Sequence, residues 1–376
     1  MKEKVAYLSN LTPLRGVAAI LVAVFHFEMA IARFIPAAQS MFFEKCYLMV
    51  DLFFIMSGFI IMHVYGNVFK TSLHKKELRH FFVARFARIY PLHIITLVLL
   101  IIIVYLIIPS WGNPPIIFEQ PSDILPNIFL LQSFGFTKIY CWNIPSWSIS
   151  AEWAAYILFP LLALCIGKKK YVSMVLFLAL VIISYYCIMF VLPRKNPLNP
   201  TIPVPHNLNT TFDYGYIRGI TGFVLGVLLY QVYLVAAWRK IFSNDITLLI
   251  NLLLVFLAMH FALNDGIVVV LFALLVLHFA CNSGIVHKIC DTRLAQFLGD
   301  ISYSIYLMQI FLQEPFSHGV RLPGVTGFGR GKMNIDLGHG ILYCSIYLVL
   351  LISISAGSYY FIEVPCRRYI NRRWGK

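Results

Sequence analysis

Charged residues are scarce in this sequence, and the scarcity narrows the kinds of protein that it can encode. Charged side chains make up 12% of the 376 residues, whereas hydrophobic ones make up 60% and the mean hydropathy is +0.79. So apolar a chain is not typical of a soluble enzyme with one buried core, and we predict an all-α polytopic membrane protein. The apolar runs are long and continuous instead of alternating, which disfavours a β-barrel.

Several common sequence signals are also missing. The eight cysteines include no CxxC pair and no Cys/His spacing typical of a metal site, so no metal is expected. A disulfide between Cys46 and Cys141 is left open, because sequence alone does not test it. The first apolar run has no A-x-A cleavage site, so we expect it to be retained as a helix. We see no repeat and no room for a separate soluble domain, and we predict one membrane domain over residues 1–376.

Ten apolar runs have the length of membrane-spanning helices. Their approximate limits are 14–34, 47–68, 89–108, 148–167, 171–192, 214–233, 246–263, 266–282, 295–314 and 338–362. The net charge of +14 is concentrated in short basic segments between these runs, so the expected partner is the lipid bilayer and not nucleic acid. With ten spans, every basic segment falls on one side. The positive-inside rule makes that side cytoplasmic, together with both termini.

The first apolar run carries two polar residues that chemistry can use, Arg15 and His26. On an α-helix their spacing corresponds to a rise of about 16 Å and to one helix face. An ionisable group deep in a membrane is costly and is a functional candidate for that reason. We predict that His26 is the base of an acyl-transfer reaction, because an imidazole can take a proton from a hydroxyl and return it to a thiolate. The alternative is a buried histidine that hydrogen-bonds across helices.

A basic segment at 79–88 leads into the third run. Arg85 and Arg88 lie three residues apart, so on a helix they share a face and can bind one polyanion. Ordinary snorkelling at a cytoplasmic boundary is the alternative. Arg15 belongs at the same membrane level, and the three arginines are predicted to hold the phosphates of coenzyme A. Its long, neutral pantetheine arm would reach the deeper His26.

Two carboxylates near the outer ends of their runs are candidate partners for His26, namely Asp51 and Glu152. Either one would orient the imidazole and stabilise its protonated form, as in hydrolase triads. The alternative for both is a helix N-terminal charge stabilised by the helix dipole. Ser57 and Gly58 are typical of close helix contacts.

The segments LRGVAAILVAVFH, VDLFFIMSGFII, FFVARFARIYPLH, WSISAEWAAYILFPLL, GDISYSIYLMQ and YYFIEVPCRR occur in this order along the chain. In their order and spacing the sequence resembles the acyltransferase-3 family of integral membrane acyltransferases. The resemblance implies ten core membrane helices in a bacterial cytoplasmic membrane. It also implies acylation, most often acetylation, of sugars in cell-surface polysaccharides, lipopolysaccharide O-antigen or nodulation-type oligosaccharides.

The resemblance also assigns roles to residues of this sequence. The Arg-x10-His motif falls on Arg15 and His26, with the histidine catalytic, and the RxxR element falls on Arg85 and Arg88. The family's membrane carboxylate falls on Glu152. The chain departs from the family at Gln309, where relatives often have histidine. If that histidine helps to recognise the acceptor, we expect an unusual acceptor here. No extracytoplasmic SGNH-type domain of the kind that some relatives append is expected from this sequence.

Trp147, Ser148 and Gln309 are the candidate acceptor-binding residues. The sequence therefore predicts transfer of an acyl group, expected to be acetyl, from cytosolic acyl-CoA to a hydroxyl of a glycan or glycolipid at the outer face. The alternatives are a transporter or flippase of a polyanionic or glycan substrate, in which intramembrane charges mark a substrate path, and a non-catalytic scaffold. Broken helices and inverted repeats would favour transport, and neither is evident.

Overall fold

The structure is a computed structural model that describes residues 7–31, 33–107, 121–137, 142–193, 206–318 and 335–375. Every regular element longer than a single bridge within these ranges is helical, as predicted. Numbered in chain order, the α-helices are α1 (Leu11–Ala30), α2 (Met49–Phe69), α3 (Lys75–Ile102), α4 (Ile124–Ile128), α5 (Trp147–Lys168), α6 (Lys170–Phe190), α7 (Gly215–Tyr233), α8 (Ala236–Phe242), α9 (Asp245–His260), α10 (Asp265–Cys281), α11 (Ile285–Cys290), α12 (Arg293–Asp300), α13 (Ser302–His318), α14 (Leu337–Ser358) and α15 (Val364–Trp374).

Nine of the ten predicted spans each fall on one helix, whereas the predicted span 295–314 is wrong as a single helix, because the structure ends α12 at Asp300 and begins α13 at Ser302. Not every helix is long enough to cross a membrane. Within the described residues, seven helices are long and apolar enough to span, or up to eight if α8 and α9, which meet at 70°, count as one broken span. The helices α10 and α13 have 17 residues each, below that length. The chain is therefore a multi-pass membrane protein. The count of ten spans and the cytoplasmic side of the termini stay predictions.

The described chain forms two compact units, each built from separate stretches of sequence. The first unit comprises residues 1–53 and 231–359, and the second comprises 54–230 and 360–376. The boundary falls inside α2, so Asp51 belongs to the first unit and Ser57 to the second. Cys46 is buried with a free thiol, whereas Cys141 lies outside the described residues, so their disulfide stays untested.

The helix α1 is the centre of the first unit, where it packs against α12, α13 and α14. Two glycines allow the close approach of α1 to α12. A Cβ on Gly16 would lie 2.8 Å from the backbone nitrogen of Gly299, and a Cβ on Gly299 would lie 2.1 Å from the carbonyl oxygen of Thr12. Small residues of this kind let membrane helices pack backbone to backbone. This contact fixes the helix that carries Arg15 and His26.

The second unit uses the same device between α2 and α7. A Cβ on Gly58 would meet the Phe223 carbonyl oxygen at 1.9 Å, and one on Gly226 would meet the Ile55 carbonyl oxygen at 2.0 Å. The prediction of a close helix contact at Gly58 is therefore confirmed. The helix α15 packs against α3. Because α3 already begins at Lys75, the basic segment 79–88 is helical throughout.

Side-chain caps define where three helices of the first unit begin. The carboxamide oxygens of Asn244 and Asn264 accept hydrogen bonds from the backbone N–H groups of Ile246 and Gly266, at the starts of α9 and α10. Asp336 accepts backbone hydrogen bonds from His339 and Gly338 at the start of α14. These bonds, that from His339 above all, hold the pKa of the Asp336 carboxyl below its ordinary value.

Candidate active site

His26 lies in the last third of α1 and is half-buried in the first unit. Its Nδ1 atom is 3.0 Å from the carbonyl oxygen of Val22, one turn earlier on the same helix. A carbonyl oxygen only accepts hydrogen bonds, so Nδ1 carries the proton and Nε2 of the neutral ring has the lone pair. The backbone therefore selects the tautomer that can act as a base at Nε2.

Gln309, on α13, is the polar side chain that the fold brings to the His26 ring. Its amide is fully buried, and neither its oxygen nor its nitrogen makes a hydrogen bond of regular geometry. The two residues are 283 positions apart in the sequence, and they meet because α1 packs against α13. The structure thus places a candidate acceptor-binding residue beside the candidate base.

Arg15 and Asp51 also belong to the first unit. Arg15 is half-buried near the start of α1, and its predicted position on the helix of His26 is confirmed. Asp51 is completely buried in the first turn of α2, a position that also suits a carboxylate interacting with the helix dipole. The Nδ1 atom of His26, to which a triad carboxylate would bind, is instead paired with Val22. A role for Asp51 in orienting the ring stays a prediction.

Glu152 lies in the second unit at the centre of a small hydrogen-bonded group. Its Oε1 atom accepts from the Ser57 hydroxyl at 2.6 Å and from the Tyr156 hydroxyl at 2.5 Å. Tyr156 is buried and follows Glu152 by one turn of α5, whereas Ser57 comes from α2. Sequence reasoning treated Ser57 only as a packing residue and missed Tyr156. The spacing Glu-x3-Tyr on one helix face was the available signal.

Arg85 and Arg88 have different surroundings although they share a helix. The Arg85 guanidinium carbon lies 5.5 Å from the centre of the Tyr65 ring and 5.9 Å from that of Tyr156, and its buried Nε atom has no hydrogen-bond partner. Arg88 instead forms an ion pair with Glu363. Glu363 is buried and directly precedes α15 in the sequence, and this ion pair was not predicted. The two arginines therefore have unlike partners, and their binding to one polyanion stays a prediction.

Trp147 and Ser148 begin α5 and are both buried. The Ser148 hydroxyl donates to the Pro145 carbonyl oxygen at 3.2 Å, which is a local capping contact. The Trp147 ring is covered by Arg218, whose guanidinium carbon is 5.3 Å from the ring centre. Arg218 is completely buried on α7 and was missed, since one arginine at the start of a long apolar run reads as an ordinary boundary residue.

A second feature that was not predicted from the sequence is a buried network of polar side chains around the segment that precedes α5. The Asn143 amide donates to the Thr96 hydroxyl at 2.9 Å, and the Gln132 amide donates to the Ser146 hydroxyl at 2.8 Å. All four side chains are buried. The network holds the irregular segments 121–137 and 142–146 against α3 and α5, because buried polar groups need partners.

These features define a class of protein: a multi-pass membrane protein with a histidine in an apolar helix whose Nε2 atom can accept a proton. Residues 9–362 match the family model Acyl_transf_3, which is described as an acyltransferase domain. The chain belongs to the acyltransferase-3 family.

Three relatives illustrate the similarity. Acyltransferase MdmB of Streptomyces mycarofaciens is 28% identical over 252 residues, which is 64% of this chain and 61% of the relative. Protein 2 in the picA locus of Rhizobium radiobacter is 39% identical over 89 residues, 23% of this chain and 40% of the relative. Peptidoglycan O-acetyltransferase OatA of Listeria monocytogenes is 24% identical over 209 residues, 51% of this chain and 30% of the relative. The chain thus spans less than two thirds of these relatives. No solved structure matches it.

Proposed function

We propose that the protein is an O-acyltransferase of a bacterial cytoplasmic membrane that moves an acyl group, most simply acetyl, from cytosolic acyl-CoA to a hydroxyl of a surface glycan or glycolipid. The family supports acyl transfer, and the name of the OatA relative supports a carbohydrate polymer as the acceptor. The observation that carries the mechanism is the hydrogen bond from His26 to Val22, because it leaves Nε2 as the proton acceptor.

In this proposal His26 is the general base. Nε2 takes the proton of the acceptor hydroxyl while the hydroxyl oxygen attacks the thioester carbonyl carbon, and it later gives that proton to the departing thiolate. The hydrogen bond from Nδ1 to Val22 stays in place in both protonation states, because Nδ1 carries a proton in each. The helix itself therefore holds the ring in orientation.

Arg85 is the residue that we assign most firmly to the anionic head of the donor. It presents a buried Nε atom without a partner, and the rings of Tyr65 and Tyr156 hold its guanidinium in one place. A guanidinium held in this way binds a phosphate with little loss of side-chain freedom. Arg88 is already paired with Glu363, so it contributes to donor binding only if its guanidinium binds the phosphate and Glu363 at the same time. Arg15 keeps its predicted role in donor binding. A role for Glu152 in orienting the base stays a prediction, because Nδ1 of His26 already bonds to Val22.

The decisive experiment compares His26→Asn with the unchanged protein, purified in nanodiscs, with labelled acetyl-CoA and isolated cell-envelope glycan. Asparagine keeps an N–H donor close to the position of Nδ1 but has no base at the position of Nε2. We expect transfer to fall by about 100-fold or more, as for loss of a general base. Transfer within about threefold of the unchanged protein would refute the role of His26.

His278→Asn is the matched control. His278 is a buried histidine in an apolar helix of the first unit, and its Nδ1 atom, like that of His26, bonds to a backbone carbonyl oxygen, that of Phe242, at 3.1 Å. It has no role in the proposed reaction, so transfer should persist in this variant. An equal loss in both variants would mean that His26→Asn acts through folding.

Donor and acceptor are tested separately. Thermal stabilisation by acetyl-CoA should be lost in Arg85→Gln and retained in His26→Asn, since the first binds the head group and the second acts on the hydroxyl. Mass spectrometry of surface glycans from strains with and without the protein should identify the acylated sugar. Movement of a glycan across vesicle membranes without any acyl donor would instead support a flippase.

A further inference from the structure

The Gln309 side chain is a polar group that the fold of the first unit leaves without a regular hydrogen bond. It is fully buried on α13, and neither its amide nitrogen nor its amide oxygen makes a hydrogen bond of regular geometry. A buried carboxamide that is bonded so poorly is destabilising, so its presence needs a reason other than packing. Its neighbour is the imidazole of His26.

Acyl transfer needs a hydrogen-bond donor to the oxyanion, and backbone amides usually supply it. The thioester carbonyl oxygen becomes an oxyanion when the hydroxyl attacks, and preorganised N–H donors stabilise it. His26 and Gln309 both lie inside helices, where the backbone N–H groups already bond to carbonyl oxygens of the same helix. Within these two helices, a hydrogen-bond donor to the oxyanion therefore has to be a side chain.

We propose that the Gln309 carboxamide is this donor, with its Nε2 N–H group directed at the oxygen of the thioester carbonyl. The inference rests on the proposed function and assigns a catalytic residue within it. It differs from the sequence prediction of an acceptor-binding role, because the contact strengthens in the transition state and contributes little to binding either substrate.

The reaction balances with these two side chains alone. The acceptor oxygen bonds to the carbonyl carbon, its proton moves to Nε2 of His26, and the carbonyl π electrons move to the oxygen that accepts the Gln309 hydrogen bond. When the C=O double bond forms again, the C–S bond breaks, and the thiolate takes the proton from His26. Gln309 keeps all its protons and only donates a hydrogen bond.

The test is the steady-state kinetics of Gln309→Met, which keeps the length of the side chain but has no N–H group. We expect kcat to fall by about 100-fold to 1,000-fold, the loss typical of one oxyanion donor, with the KM for both substrates within about threefold. The melting temperature should be equal or higher, since the variant removes a buried amide that makes no hydrogen bond of regular geometry. A raised KM with unchanged kcat would overturn the proposal in favour of substrate binding.

Gln313→Met is the matched control. Gln313 lies one turn further along α13, its buried amide nitrogen also makes no hydrogen bond of regular geometry, and its neighbour is Tyr347 and not His26. We expect kcat within about threefold of the unchanged protein. An equal fall in kcat in both variants would refute a specific role for Gln309. If Gln309→Met fails to fold, Gln309→Asn, which withdraws the N–H group by one methylene, must give the same pattern of lowered kcat and constant KM.

The activity of His26→Asn distinguishes a failure of the oxyanion role of Gln309 from a failure of the proposed acyl-transfer mechanism. Inactive His26→Asn with fully active Gln309→Met would refute the oxyanion role and leave the proposed function intact. Active His26→Asn would refute the proposed mechanism itself, whatever Gln309→Met shows.

Discussion

The hydrogen bonds to Glu152 allow a quantitative prediction. Its Oε1 atom accepts from Tyr156 at 2.5 Å and from Ser57 at 2.6 Å, and Tyr156 is only 3% exposed. Neutral hydrogen bonds between membrane helices contribute about 0.6 kcal/mol on average and reach about 1.7 kcal/mol. Bonds to a charged acceptor are roughly twice as strong as neutral ones. We therefore expect Tyr156→Phe to lower the free energy of unfolding by about 1.5 kcal/mol and Ser57→Ala by about 1 kcal/mol.

The two effects should be coupled, because each single variant leaves Glu152 one donor and the double variant leaves it none. The double variant should lose more than the sum, about 3.5 kcal/mol in place of about 2.5 kcal/mol. In a Glu152→Gln background, where Oε1 still accepts but carries no charge, Tyr156→Phe should cost only about 0.6 kcal/mol. Reversible unfolding of the purified protein in mixed micelles measures all these differences.

Ser355→Ala is the control for deleting a hydroxyl. The Ser355 hydroxyl on α14 is buried and has no hydrogen-bond partner, so its removal should leave stability unchanged or raise it slightly. The reasoning is refuted if Tyr156→Phe costs less than about 0.3 kcal/mol, or if its cost is the same with Glu152 and with glutamine at that position.

Two further predictions concern contacts that hold the site helices. Glu363→Gln should destabilise the protein by about 2 kcal/mol, less than for a fully buried pair because the Arg88 side chain is 17% exposed. Arg88→Gln added to it should restore part of that loss, and an effect of Glu363→Gln below about 0.5 kcal/mol in denaturant unfolding would contradict the ion pair. Gly299→Ala would place a Cβ 2.1 Å from the Thr12 carbonyl oxygen and push α1 away from α12, so we expect a cost of about 2 kcal/mol and a lowered kcat from misplacement of His26. Unchanged stability and kcat in Gly299→Ala would show that this close approach is unimportant.

The sequence by itself determined the class of the protein and the positions of its helices. Long apolar runs have to satisfy their backbone groups internally in a membrane, so run length and hydropathy are sufficient to predict helices. The placement of Arg15 and His26 on one helix, α1, is equally local, since it follows from their spacing in the sequence. Even the Val22 contact of His26 lies within one turn, although sequence reasoning looked for a carboxylate there.

The tertiary structure decided which side chains meet across helices. Gln309 contacts His26, Glu363 pairs with Arg88, and Ser57 binds Glu152, although the sequence separates these partners by 283, 275 and 95 positions. Such contacts depend on the rotation and depth at which helices pack, and glycines such as Gly299 set these through backbone contact. Hydropathy is nearly uniform around helices buried in an apolar bundle, so no local pattern marks the faces that come together.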